Sequence, residues 1–240
     1  MLAHRGLALE APENTLLAFV AAIGIGVTHV ETDVHASSDG VAVISHDPDL
    51  SRVAGIEGRV DALSFARLQK IDLGHDQSFC SLAEALDAFP ETRFNIDIKS
   101  ADAVAPTVAA ILQAKAVDRV LVTSFSEKRR RAAVRQLPGV ATSASSSLFA
   151  SALVVAQLRS APLLRRVLNS IDAVQIPEQY FGVQIVTERM IRLLHSAKVE
   201  VHVWTVNDAP AMHRLLDLGV DGIVTDRADI ALGVLTTRAQ

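Results

Sequence analysis

The feature that most constrains this chain is a regular alternation of two kinds of segment. Eight short β-branched or apolar runs lie at residues 1–4, 28–34, 93–98, 119–124, 139–143, 173–176, 200–206 and 222–225. Between them, residues 15–23, 101–116, 127–136, 148–168, 187–197 and 209–218 carry helical apolar spacing, and 227–236 closes the chain in the same way. Strand, helix, strand in succession implies a parallel sheet covered by helices. Eight such units predict an α/β fold closed as a (β/α)8 TIM barrel, and 240 residues suit one barrel, so residues 1–240 are read as a single domain.

Composition narrows the function classes. Half the residues are apolar and 21% are charged, which supplies a sizeable core and excludes a disordered chain. A net charge of −4 gives no electrostatic footprint for nucleic acid, and the basic run at 128–131 reads as a solvated helix face. A single cysteine, Cys80, rules out an intrachain disulfide and a thiolate metal cluster; it reads as a small core residue and fits a reducing, cytoplasmic setting. No run reaches the roughly 18 apolar residues of a membrane span, and residues 1–6 lack a signal-peptide core.

One segment departs from the alternation. Strand two continues through Glu31, Asp33 and Ser37 to Asp39-Gly40, and an alternating run returns to His46. Asp-Gly between alternating runs predicts a β-hairpin extension after strand two. With Asp39 and Gly40 as the two turn residues, Asp33 is expected opposite His46, and Glu31, Asp33 and His46 share a face.

Catalytic groups of such a barrel stand at the C-terminal ends of its strands. There the sequence places His4 and Arg5, Glu31 and Asp33, Asp97 and Lys99, and Trp204 with Asn207 beyond it, while the hairpin adds His46 and Asp47. Glu31, Asp33 and Asp97 are hard oxygen donors suited to Mg²⁺ or Ca²⁺. Arg5 and Lys99 offer a fork and a point charge for a phosphoryl group, and Trp204 is a further candidate to touch substrate. His4 and His46 are suited to act as a general acid and base near neutral pH. Together these parts describe metal-assisted phosphodiester hydrolysis. The run 222–226 is read as a small-residue strand with a helix cap at Thr225 or Asp226. His29 and His35 are read as structural, and His75, His195, His202 and His213 as lacking partners.

These residues also resemble a known family. His4-Arg5-Gly6, Pro12-Glu13-Asn14-Thr15, Glu31-Thr32-Asp33-Val34 and Asp39-Gly40 through His46-Asp47 stand in the order and spacing of the glycerophosphodiester phosphodiesterases. Arg52, Asn95 to Lys99, Ser124-Phe125, Trp204 to Asn207 and Gly222 to Asp226 extend the likeness over nearly the whole chain. The resemblance implies hydrolysis of glycerophosphodiesters to sn-glycerol 3-phosphate and an alcohol. It further implies a metal on Glu31, Asp33 and Asp97, acid and base catalysis by His4 and His46, and phosphate binding by Arg5 and Lys99. Asn14 is then expected to cap the first helix, and Glu13 to support Arg5 or a histidine. Asp97 stands where the family usually has glutamate, which bears on metal affinity. The segment 47–82 is a modest insertion that leaves the site open, and Tyr180-Phe181 reads either as an apolar wall or as packing under the barrel rim. Two other readings are a lysophospholipase D acting on a lipid diester and a catalytically silent barrel that binds phosphorylated metabolites.

Overall fold

The computed structural model describes residues 1–157, 160–180 and 182–238. Each of the eight predicted runs forms a strand: Leu2–His4, His29–Ala36, Arg93–Ile98, Val120–Thr123, Ala141–Thr142, Ala173–Pro177, Glu200–Trp204 and Gly222–Thr225. All run parallel, and the first pairs with both the second and the eighth, so the two ends of the chain meet in the sheet. The ring closes between the fifth and sixth strands through one isolated bridge, Ser143 to Ala173, flanked by the Ala144 N–H to Ala173 C=O and Asp172 N–H to Thr142 C=O bonds at 2.9 Å each.

Outward-facing strand residues explain why helices cover this sheet. Val30, Phe94, Ile96 and Val122 are buried against Phe19, Leu86 and Ile111 in one cluster, and Val174, Val201, Val203 and Ile223 against Leu164, Leu194 and Leu215 in another. Phe19 meets Phe94 edge to face at 5.8 Å. The insertion after the hairpin has its own small core of Val43, Leu50, Val60, Leu68 and Phe79.

The structure corrects several expectations. The helix read over 148–168 is two helices, Ser146–Gln157 and Ala161–Val167; Ser160 caps the second, and Pro162 lies in its first turn, where a missing N–H is harmless, whereas inside a continuous helix it would break a bond and clash. In the hairpin, Val34 pairs with Ile44 and Ala36 with Ala42, one residue away from the expected register. The turn is wider than Asp39-Gly40 because Ser37 and Val41 bond across it and the Ser37 hydroxyl donates to Asp39. Asp33 therefore lies opposite Ser45, whose N–H it accepts at 3.0 Å. Arg130, in the basic run read as solvated, is buried and donates to Glu127 and Thr142. His195 and His202 do have partners, Asp221 and Glu200.

His29, at the lower end of the second strand, has its pKa lowered to about 4, first by burial and then by positive groups around it. It is neutral in the fold and readily protonated once unfolded, so the stability present above its ordinary value near 6.5 is lost as pH falls towards 4. Denaturant titrations between those limits should show a shallower loss for His29→Asn than for the parent chain. Equal slopes would remove His29 from the acid sensitivity.

Candidate active site

The first strand delivers His4 and then turns sharply. Gly6 has φ +84°, and a Cβ there would lie 2.7 Å from the Ala18 backbone, so only glycine lets the chain pass the first helix, Leu16–Gly24, this closely. The turn aims Arg5 across the barrel mouth. Its Nη1 donates to Glu13 at 3.0 Å, and its Nε lies 3.2 Å from Asp33 Oδ2 in ion-pair contact without hydrogen-bond alignment.

Asn14 does not cap the first helix. Thr15 does, accepting the Ala18 N–H, because Asn14 sits one residue earlier in the left-handed region at φ +57°, a conformation that asparagine tolerates. From there its Nδ2 donates to Asp33 Oδ2 at 3.1 Å and its Oδ1 accepts from Thr32 at 2.8 Å. Asn14 thus fixes the carboxylate itself.

The strand register stacks the acidic residues. His4 lies beside Glu31, and Asp33 beside Asp97. Lys99 Nζ sits between the two aspartates, 2.8 Å from Asp33 and 2.7 Å from Asp97. Burial opposes ionisation of Asp33, but Lys99 and then Arg5 outweigh it and hold its pKa below the usual carboxylate value. Burial raises Asp97 and raises Glu31 much further, with repulsion from Asp33 and Asp97 adding to the rise at Glu31. Two cations therefore face three buried carboxylates.

Among the described residues, no three acidic, histidine or cysteine side chains form a ready-made metal cage, and the Lys99 ammonium lies between two of the carboxylates. The donor chemistry nevertheless fits a hard divalent ion. Asp97 Oδ1 is buried with no hydrogen-bond partner, and burial with repulsion from Asp33 and Asp97 disfavours a bare carboxylate at Glu31.

Each candidate histidine is held by a carboxylate. His4 Nδ1 bonds Asp226 Oδ1 at 2.6 Å, and Asp226 is fixed in turn by Asn207, whose Nδ2 donates to it at 2.8 Å while its Oδ1 accepts the Asp226 N–H at 2.9 Å. His46 Nδ1 bonds Asp47 Oδ1 at 2.7 Å; Arg52 donates to Asp47 at 2.5 Å and to Glu13 at 2.7 Å. The chain Arg5–Glu13–Arg52–Asp47–His46 so joins the Arg5 guanidinium to the second imidazole. His35 adds a hydrogen bond from Nε2 to the His46 carbonyl at 3.2 Å. His46 reaches the site despite the shifted register because the hairpin strand ends at Ile44 and the chain bends beyond it.

His4, Arg5, Glu31, Asp33, His46, Asp97, Lys99 and Trp204 all line one cavity of about 920 Å³ at the barrel mouth. Trp204 meets Phe125 edge to face at 6.1 Å, and Lys99 Nζ lies 5.8 Å from the Phe125 ring centre.

The model of the glycerophosphoryl diester phosphodiesterase family matches residues 4–230. This chain belongs to that family. It is 44% identical over its whole length, and over 91% of the relative, to a Mycobacterium tuberculosis protein named "Probable glycerophosphodiester phosphodiesterase 2". It is similar, at TM-score 0.81 and 25% identity over 98% of this chain and 96% of the other, to an Oleispira antarctica phosphodiesterase solved with its product sn-glycerol-3-phosphate. A glycerophosphodiester phosphodiesterase of Agrobacterium tumefaciens shares the fold at TM-score 0.79, 24% identity and 98% coverage of both chains.

Asp226, which the local pattern presents as a helix cap, instead holds His4. The available signal was the pair of polar residues, Asn207 and Asp226, beyond neighbouring strands seven and eight. Asp226→Asn keeps an acceptor but loses the charge that aligns His4, and should lower kcat for the family reaction by about 10- to 100-fold with little change in KM. An unchanged kcat would show that His4 needs no such support. Tyr180 lines the cavity as the apolar-wall reading expected, whereas Phe181 lies outside the described residues.

Proposed function

We propose that this chain hydrolyses glycerophosphodiesters to sn-glycerol 3-phosphate and an alcohol, with residues 1–240 acting as one catalytic domain. The observation that carries the reading is the pair of imidazoles on one cavity, each bonded at Nδ1 to its own carboxylate, beside a cluster of cations and carboxylates. Nδ1–H donation to a carboxylate fixes the tautomer that leaves Nε2 free for proton transfer. Arg5 and Lys99 hold the nonbridging phosphate oxygens, where charge grows as the bond to the leaving oxygen lengthens. One histidine takes the proton of the attacking hydroxyl and the other gives a proton to the departing alkoxide. The similar Oleispira phosphodiesterase, solved in complex with its product sn-glycerol-3-phosphate, supports the choice of substrate.

Glu31, Asp33 and Asp97 are the residues that would hold Mg²⁺ or Ca²⁺. Such an ion supplies Lewis-acid charge neutralisation at the phosphoryl oxygens. The single buried Cys80, its thiol pushed up to about 12 by burial, is consistent with a reducing cytoplasmic location. No described helix is long and apolar enough to cross a membrane.

Release of glycerol 3-phosphate from glycerophosphocholine should require Mg²⁺ or Ca²⁺, stop in EDTA and return on adding metal. Full activity in EDTA would remove the metal from the scheme. No release under any condition would favour the binding-protein reading.

A further inference from the structure

An incomplete hydrogen-bond pair lies inside the barrel, directly beneath the acidic cluster. Asn95 stands two residues before Asp97 on the third strand, about 6.6 Å deeper along it, in register with Glu31. Its Nδ2 donates across the barrel to Gln175 Oε1 of the sixth strand at 3.3 Å. Both residues line the barrel-mouth cavity, and Asn95 is 4% exposed. Asn95 Oδ1 and Gln175 Nε2 are buried with no hydrogen-bond partner among the described residues. Exchanging O and N in both amides changes nothing, because one acceptor and one donor are still left over. The amides that hold carboxylates behave differently, since Asn14 and Asn207 each use both ends on protein groups. A buried amide end that meets neither protein nor ligand is costly, so such groups are normally paired. The barrel is filled at this level. Val201 and Val203 face the helices, so His202 points inward, and a Cβ on Gly222 would lie 2.6 Å from its ring.

We infer that Asn95 and Gln175 form a subsite for a single hydroxyl group, the terminal hydroxyl of the substrate's glycerol arm. This rests on the phosphodiesterase reading above and adds which residues recognise the glycerol and by which oxygen. A hydroxyl accepts one hydrogen bond and donates another, matching the Gln175 N–H and the Asn95 carbonyl oxygen. The closed end of the cavity selects the arm. Glycerophosphodiesters share the glycerol and differ in the alcohol, so the constant three-carbon arm suits the floor and the variable alcohol needs the open mouth. With the phosphate held above by Arg5 and Lys99, the terminal hydroxyl is the glycerol oxygen that reaches one strand layer deeper. A glycerol esterified at that oxygen has no proton to give Asn95 and presses an acyl group against a filled floor.

The test compares glycerophosphocholine with its analogue lacking only the terminal hydroxyl, on the metal-loaded enzyme. Losing that hydroxyl leaves both amides unpaired and should lower kcat/KM by about 5- to 150-fold. In Gln175→Met and Asn95→Leu, which roughly keep the volume and remove one hydrogen-bonding end, the ratio of the two kcat/KM values should fall towards one. A binding readout stands apart from turnover. At equal concentration, sn-glycerol 3-phosphate should raise the Tm of the parent chain more than propane-1,2-diol 1-phosphate does, and the two should act alike on the variants. Equal kcat/KM with and without the terminal hydroxyl overturns the subsite while leaving the phosphodiesterase reading intact. Cleavage of a 1-acyl lysophosphatidylcholine as fast as glycerophosphocholine does the same. A preference untouched by either substitution also overturns it, leaving the two amides to ordered water. Should no diester be cleaved, the phosphodiesterase reading fails first, and the melting comparison then decides the subsite alone.

Discussion

The His46→Ala enzyme is expected to release glycerol 3-phosphate about 10²- to 10⁴-fold more slowly than the parent, and His4→Ala to fall in the same range. The cause is shared, because each imidazole is held in one orientation by a carboxylate. The two roles separate with a substrate whose leaving group is a weakly basic phenol. Such a group departs without a proton, so the variant lacking the general acid should recover most of its rate and the variant lacking the base should not. Equal recovery by both variants would rule out a division into one acid and one base.

The second large effect is on stability. Lys99 Nζ bridges Asp33 and Asp97 at the centre of the acidic cluster, with four-fifths of its side chain covered. Burial alone would lower its pKa, yet the two carboxylates raise it, so the ammonium is an integral part of the fold. Lys99→Met leaves buried negative charge without its main partner. Breaking such a pair costs about 3–5 kcal/mol, or about 6–20 °C in Tm for a chain of this size, measured in EDTA. A divalent ion should then stabilise the variant more than the parent, because the carboxylates have lost their internal cation. Melting curves that coincide within about 1 °C in EDTA would show that Lys99 carries no such load.

How much was legible in the sequence depends on the range of the interactions. The eight strands could be read because β-branched runs buried on both sides leave a local pattern, and the placement of Asp33 beside Asp97 follows once those strands are adjacent. The hairpin register could not be read from Asp39-Gly40, because the Ser37 hydroxyl reorganises the turn. Its consequence for His46 was cancelled by a bend after Ile44 that no periodicity encodes. Asn14 was assigned to the wrong task because capping is a local rule, while its actual partner, Asp33, lies 19 residues away. Asp226 is 222 residues from His4, and only closure of the first strand against the eighth makes them neighbours.

The single bridge that closes the barrel has a dynamic consequence. Elsewhere each strand is stitched to its neighbour at two or more registered positions, but Ser143 to Ala173 is one stitch, directly below Ala144 and Ser145 at the edge of the cavity. Breathing of the ring should therefore begin at this seam, and the amides of Ala144 and Asp172 should exchange with deuterium sooner than those of the second and third strands. The acidic cluster on the second and third strands, which pair at six positions, would stay rigid while the seam yields. One barrel would so keep a fixed reaction centre beside an adjustable flank.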